Sequence, residues 1–317
     1  MTDGGYDPFA PGRSAVETST VVLPDPARGR QLTCELWDPV HPPERPAPLV
    51  VYSHHAGGHR RVAALLAGHL AGHGYRVAAV DHSETSVPEL QPRAGEDDEE
   101  RARRVAALVG SRVPDLRVAL DRLHGDGEPV GLVGHSFGGW TVLAAADADP
   151  RVGAVVAMAP GGSEHPPPGV LRAPLAFTRR PAVPTLFLAA ENDVPVPLDD
   201  VLDVYHRAGG PARLVVLRRA DHQHFVDDVA GDHEALRAMS LPGDAAWMPA
   251  AMLPMDRLTP AEQAHDFVRG LTVAHLDAHL RGDPRARAWL GAGVAAHLAD
   301  QGIEAWELPP PAAVMYR

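Results

Sequence analysis

Short, unbroken apolar runs recur along the chain: LVVYS at 49–53, RVAAVD at 76–81, PVGLVG at 129–134, VGAVVAMAP at 152–160, VPTLFLAA at 183–190 and ARLVVL at 212–217. Runs of this length with little polar alternation predict strands buried on both faces. Between them lie stretches of helical character, near 60–72, from the acidic GEDDEE at 95–100 to about 124 with a break expected at Pro114, over 139–146 and over 199–209. This alternation predicts an α/β protein: a mostly parallel central sheet flanked by helices, with ARLVVL as its last strand. Upstream, residues 19–23 and QLTCELW flank the turn PDPARGR and predict an antiparallel hairpin at the N-terminal side.

The ends of the chain are less patterned. Residues 1–15 are expected to be a flexible N-terminal arm, and 16–317 a single domain, since no composition break or internal repeat calls for a second. HPPERPAP reads as a proline-rich surface loop. Thr259, Pro260 and Glu262 read as cap, first-turn proline and capping-box acid of a helix reaching about Leu280, with Phe267, Leu271 and Ala274 on one face. A further helix is expected over 284–299 and an extended tail over LPPPAAVMYR.

Composition narrows the function. The formal net charge is −12, from 29 basic and 41 acidic residues, which argues against nucleic acid as a partner because phosphate binding needs a basic footprint. Cys34 is the single cysteine, so no intrachain disulfide can form; it alternates with Thr33 and Glu35 on the face of Leu32 and Leu36 and is expected to be a packed thiol rather than a redox group. No window reaches the length of a membrane span and no apolar leader opens the chain. A cytoplasmic location is the expectation, or a secreted one if a leader has been removed. Oligomeric state is not legible.

The strongest chemical signal is Gly134-His135-Ser136-Phe137-Gly138, between a strand and a helix. In that context the motif makes a tight turn that lifts the Ser136 hydroxyl above the sheet, with the free N–H groups of the helix start aimed at the same place. Outside it, the same letters make an ordinary Ser/Gly turn. A serine nucleophile needs a base, and the base needs a group to hold its tautomer. Candidates lie just past the ends of later strands, where ligands of open parallel sheets gather. Glu191-Asn192-Asp193 follows TLFLAA, and Asp221-His222-Gln223-His224 follows ARLVVL. Asp193 and His222 are preferred on spacing; Glu191 is the rival acid and His224 the rival base. Asp199 and Asp200 are expected to cap the next helix, and Asp221, Asp227 and Asp228 to make the histidine loop acidic. The oxyanion donors are expected to be the backbone N–H groups of Phe137 and Ala56, the latter in the loop Ser53-His54-His55-Ala56-Gly57-Gly58. His54, His55 and His59 invite a metal, but Gly57 and Gly58 make the helix that a His-x-x-x-His pair needs improbable, so neither metal nor cofactor is expected.

These segments resemble the platelet-activating-factor acetylhydrolase and dienelactone-hydrolase-like branches of the α/β-hydrolases, with similarity to the bacterial cutinase-type polyester hydrolases. The likeness runs from about residue 20 to 280 and rests on LTCELWDP, YSHHAGGHR, DHSETS, GHSFGGW, LAAENDVPVP and ADHQHFVDD. It implies the α/β-hydrolase fold, Ser136 as nucleophile, His222 as base and Asp193 as acid. HQHF is similar to an acetylhydrolase segment, and ENDVPVP to a polyester-hydrolase one. In the acetylhydrolases the acid follows the preceding strand, where this chain has no carboxylate until Glu164. His55 stands where the family has glycine and is expected to narrow the choice of acyl group. The stretch 232–260, with Trp247, Met248, Met252 and Met255, lies outside the usual core and suits a lid, a pocket wall or a packed helical insertion. The reaction implied is cleavage of a small or lipid-like carboxylic ester through an acyl-enzyme, that is, an esterase or lipase-like hydrolase. Acyltransferase, amidase and lactonase are alternatives on the same triad; a non-enzymatic binding protein is the alternative of another class and would be expected to lack a triad member.

Overall fold

The computed structural model describes residues 5–40, 47–84, 93–125, 127, 129–179, 182–241 and 243–308. Nine strands form one sheet: β1 Val16–Asp25, β2 Arg30–Pro39, β3 Leu49–Ser53, β4 Arg76–Val80, β5 Val130–His135, β6 Val152–Met158, β7 Thr185–Ala190, β8 Ala212–Leu217 and β9 Ala305–Leu308. Their order is β1-β2-β4-β3-β5-β6-β7-β8-β9. The six strands from β4 to β8 are parallel, while β1 and β2 pair antiparallel at one edge and β9 antiparallel to β8 at the other. This is the α/β-hydrolase fold with the expected hairpin. ARLVVL is not the last strand: β9 pairs along it, covering an edge that would otherwise expose unpaired backbone groups.

The helices are α1 Ala64–Gly72, α2 Asp98–Leu123, α3 Phe137–Ala148, α4 Leu198–Ala208, α5 Val229–Ala238, α6 Met248–Ala251, α7 Ala261–His279, α8 Pro284–Gly291 and α9 Val294–Asp300. Strand β3 shows how the layers divide. Val50 and Tyr52 face a core shared with Leu66 and Leu70 of α1 and Phe267 and Leu271 of α7, whereas Leu49 and Val51 face one shared with Leu116 of α2, Val142 of α3 and Tyr205 of α4. Successive residues of a strand point to opposite faces, so an apolar run with helices on both sides buries every position.

Four local expectations are corrected. Helix α2 runs unbroken through Pro114. A proline inside a helix costs about 3 kcal/mol, offset here by the buried face of Leu116, Ala119 and Leu120 and by a capping box between Asp97 and Glu100. The stretch 284–299 is two helices, α8 and α9, separated at Gly293, whose φ of 100° leaves the helical region. Thr259 does not cap α7; its hydroxyl donates to Arg218 O at 2.8 Å and its N–H to Arg219 O at 2.6 Å, which ties the start of α7 to the end of β8. Asp199 and Asp200 lie in the first turn of α4 rather than at its cap, where their charge complements the helix dipole.

The segment expected as a flexible arm is anchored from Tyr6 onward. Tyr6 donates to Asp277 at 2.9 Å, Phe9 packs over Gly270 and edge-on to Trp289, and Pro8 and Ala10 carbonyls accept from His69 and His73. Cys34 is fully buried, and burial pushes its thiol up to about 12. No described helix is long and apolar enough to cross a membrane. Residues 41–46 of the proline-rich loop and 309–317 of the tail lie outside the described residues.

Candidate active site

The strand order reverses direction between β3 and β5: β4 lies beyond β3, and β6, β7 and β8 lie beyond β5. Loops leaving the carboxyl ends of two such neighbours diverge and open a crevice between them. Ser136 follows β5, the loop His54–Gly58 follows β3, Asp193 follows β7, and His222 follows β8. Helix α3 starts at Phe137, two residues earlier than its apolar pattern indicates, with Ser136 at its N-cap.

Ser136 has φ 58° and ψ −117°, a left-handed backbone that a residue with a Cβ adopts only where its surroundings enforce it. Its N–H donates to Met158 O at 2.8 Å, and its carbonyl accepts from Trp140 and Gly161 N–H at 3.0 and 3.1 Å. The two motif glycines permit the turn. A Cβ on Gly134 would lie 2.3 Å from Gly138 O, and one on Gly138 would lie 2.0 Å from Ser53 O. The first turn of α3 therefore rests directly on the end of β3.

His222 Nδ1 lies 2.8 Å from Asp193 Oδ2, and Asp193 Oδ1 accepts the Val196 N–H at 2.7 Å. Both side chains are buried. Burial acts to lower the His222 pKa, but the charge and hydrogen bond of Asp193 more than offset it, so His222 is raised above the ordinary imidazole value. Burial raises Asp193, against the pull of His222. Asp221 ties the two loops together: its Oδ1 accepts from His222 N–H at 2.5 Å and from Val194 N–H at 3.3 Å.

The rivals are otherwise engaged. His224 Nδ1 accepts the Asp221 N–H at 3.0 Å and its Nε2 meets Thr259 O at 3.1 Å, so the ring bridges the histidine loop to the start of α7. Glu191 accepts the Arg219 N–H at 3.0 Å and lies 3.6 Å from the Arg218 guanidinium, holding the loop rather than His222. Asp227 accepts the N–H of Leu65 at the start of α1, and Asp228 caps α5.

His135 links the Ser136 turn to His222. Its ring lies 4.6 Å from that of His222 and 5.5 Å from that of His55. It is fully buried, and burial holds it well below the ordinary imidazole value. His55 Nδ1 lies 2.9 Å from Ala56 O, and burial lowers His55 to about 4. Ala56 packs against Phe137 and Trp140, whose rings stack at 5.3 Å. Neither the Ala56 nor the Phe137 N–H donates to a protein acceptor among the described residues. No group of three or more His, Cys, Asp or Glu with metal-binding geometry occurs among the described residues.

The sequence model of the dienelactone hydrolase family matches residues 37–245. The chain belongs to the dienelactone hydrolase family. In keeping with that family, its structure superposes on the ferulic acid esterase from Streptomyces cinnamoneus with a TM-score of 0.60 and 25% identity, over 87% of this chain and 93% of that one. A dienelactone hydrolase described as putative, from Klebsiella pneumoniae subsp. pneumoniae, superposes with a TM-score of 0.50 and 21% identity, over 66% of this chain and 88% of that one, a likeness of fold. No curated protein sequence matches. Family and structural neighbour together make this dienelactone hydrolase family member an esterase-type hydrolase. The resemblance to acetylhydrolases and polyester hydrolases rests on the sequence segments alone.

A cluster that sequence reasoning missed lies beneath the crevice. Arg112 of α2 is fully buried; its guanidinium pairs with Glu84, donates to His54 O at 2.6 Å and His55 O at 3.3 Å, and lies 4.3 Å above the Phe137 ring. Beside it, Ser53 Oγ lies 2.9 Å from His82 Nε2, and His82 Nδ1 lies 2.9 Å from Asp115 Oδ2. This Ser53-His82-Asp115 array is sealed from solvent. One signal was present in the chain: Arg112 falls on the same helical stripe as Leu116, Ala119 and Leu120, where a charged residue needs a buried partner.

Proposed function

We propose that this protein is a serine hydrolase of carboxylic esters, with Ser136 as nucleophile, His222 as base, Asp193 as the group that holds the base, and the N–H groups of Phe137 and Ala56 as the oxyanion site. The observation that carries this is the buried His222–Asp193 hydrogen bond at 2.8 Å, with the His222 ring 4.6 Å from that of His135, the residue before a serine strained at the turn between β5 and α3. With Nδ1–H bonded to Asp193, the Nε2 lone pair of His222 is left to accept the Ser136 proton. Ser136 attacks the ester carbonyl, the oxyanion meets the two N–H groups, and the alcohol leaves with the proton from His222. Water then repeats the sequence on the acyl-enzyme. The chemistry needs no cofactor.

The family and its esterase neighbour support small esters or lactones as substrates, hydroxycinnamoyl esters among them. Residues 16–317 act as one domain in this reading, with 232–260 as a wall of the substrate pocket: His233 of α5 reaches Leu253 O at 2.8 Å, Met248 and Met252 are buried, and the Trp247 indole N–H donates to Pro168 O at 3.1 Å. The test is a panel of p-nitrophenyl esters from acetate to long chains, methyl ferulate and a five-membered lactone, on wild type and Ser136→Ala. Turnover by the wild type that falls by on the order of 10^4-fold or more in the variant is the expected result. Equal turnover in both would remove Ser136 as nucleophile.

A further inference from the structure

The His55 carbonyl is unusually well supplied with donors. It accepts from Gly58 N–H at 3.1 Å, lies 2.7 Å from His54 Nδ1, and receives Arg112 Nη2 at 3.3 Å. The His54 contact is a donated hydrogen bond: His54 Nε2 accepts the His82 N–H at 3.1 Å, so in the neutral ring, which burial enforces, the proton sits on Nδ1. In a trans peptide the carbonyl of one residue and the N–H of the next point in opposite directions within one plane. Fixing His55 O thus fixes the direction of Ala56 N–H. On its other side the same guanidinium lies over the Phe137 ring, the residue that carries the other free N–H.

We infer that Arg112 is a positioning residue for the oxyanion site: its guanidinium holds the His54 and His55 carbonyls and the Phe137 ring in one arrangement, so that the Ala56 and Phe137 N–H groups converge. This rests on the reading of Ser136 chemistry above. Arginine suits the task, since a planar fork binds two carbonyls at once and presents a flat face to an aromatic ring. The hydrogen-bond chain behind it keeps the fork in place. Arg112 Nη1 donates to Ser53 Oγ at 3.3 Å, the Ser53 hydroxyl to His82 Nε2, and His82 Nδ1–H to Asp115, which is anchored by Arg28 at 2.7 Å. Ser53 is therefore a link in a buried support and not a second nucleophile. Glu84 supplies the countercharge that lets a guanidinium remain charged there, although burial lowers Arg112 to about 10.

The test uses Arg112→Lys, which keeps the charge against Glu84 but gives up the fork, and Arg112→Met with Glu84→Gln, which removes the ion pair as a unit. Each is compared with wild type for ester turnover, thermal melting, and the 13C resonance of a trifluoromethyl ketone labelled at its carbonyl, whose hemiketal with Ser136 carries an oxyanion. The expected result is kcat lower by about 10- to 100-fold with KM within about threefold, and a hemiketal that ionises at higher pH than in the wild type. Folded variants with wild-type kcat and wild-type hemiketal ionisation would overturn the inference. So would loss of the cooperative melting transition in both, which would assign the cluster to holding the fold. A wild type that forms no Ser136 hemiketal would instead sink the serine-hydrolase reading itself.

Discussion

His222 and His224 stand two residues apart on one 3-10 turn, both buried, and differ in what meets their nitrogens. Backbone groups occupy both nitrogens of His224, while His222 is bonded through Nδ1 to a carboxylate. A ring whose two nitrogens both serve backbone groups can brace a loop but has no lone pair left for a proton from serine. The two histidines should therefore separate by experiment. His222→Gln is expected to lose ester turnover by on the order of 10^4-fold or more, with a melting temperature near wild type. His224→Gln is expected to lower the melting temperature, because it unties the loop from Thr259, with kcat within about threefold. Steady-state kinetics and thermal melts on the two variants check this; a folded His224 variant without turnover would reverse the assignment.

At the scale of elements, the contact between the first turn of α3 and the end of β3 governs the site. Gly138 is where the two backbones meet, and a Cβ there would sit 2.0 Å from Ser53 O. Backbone atoms of a central strand cannot yield as a flexible side chain can. Gly138→Ala is expected to destabilise the protein by about 3 kcal/mol and to lower turnover in the molecules that still fold. Gly68, on an open face of α1 where an added Cβ would meet nothing within 4 Å, is the control: Gly68→Ala is expected to be neutral or stabilising, since alanine is favoured over glycine in a helix. Chemical denaturation of both variants reads the difference, and comparable loss in the two would refute the close-approach argument.

Over the whole molecule, among the described residues, burial holds eight histidines below the ordinary imidazole value. His54, His82 and His135 are kept well below that value, His55 and His69 are lowered to about 4, His275 to about 3, and His224 and His279 are lowered too. The unfolded chain takes up a proton at each below about pH 6.5, whereas the folded chain does not. More protons bind the unfolded state, so stability rises with pH in this range and is lost as pH falls from 6.5 toward the folded values. His275 alone accounts for about 2 kcal/mol between pH 7.5 and pH 5. His222, raised by Asp193, acts in the opposite sense but is one histidine against eight. The melting temperature at pH 5 is expected to lie at least about 5 °C below that at pH 7.5. Equal melting at the two values would mean that these histidines are protonated in the folded protein.

The parallel strands, their two helical layers and the neighbourhood of Ser136, Asp193 and His222 were legible in the chain, because apolar runs of strand length and Gly-x-Ser-x-Gly between a strand and a helix are local patterns with local causes. Strand β9 was not, since AWEL is too short and too weakly patterned to announce that it will cover β8. The continuity of α2 through Pro114 also depended on a partner, the buried face it packs against the sheet. Asp193 and Glu191 are interchangeable by composition, and so are His222 and His224; which one meets which is a matter of distances between loops 29 residues apart. Arg112 is the clearest case. In the sequence it is one arginine among several in a charged helix. Its place beneath His54, His55 and Phe137 exists only once α2 is laid against β3 and α3, because packing, unlike periodicity, is a property of segments that are distant in the chain.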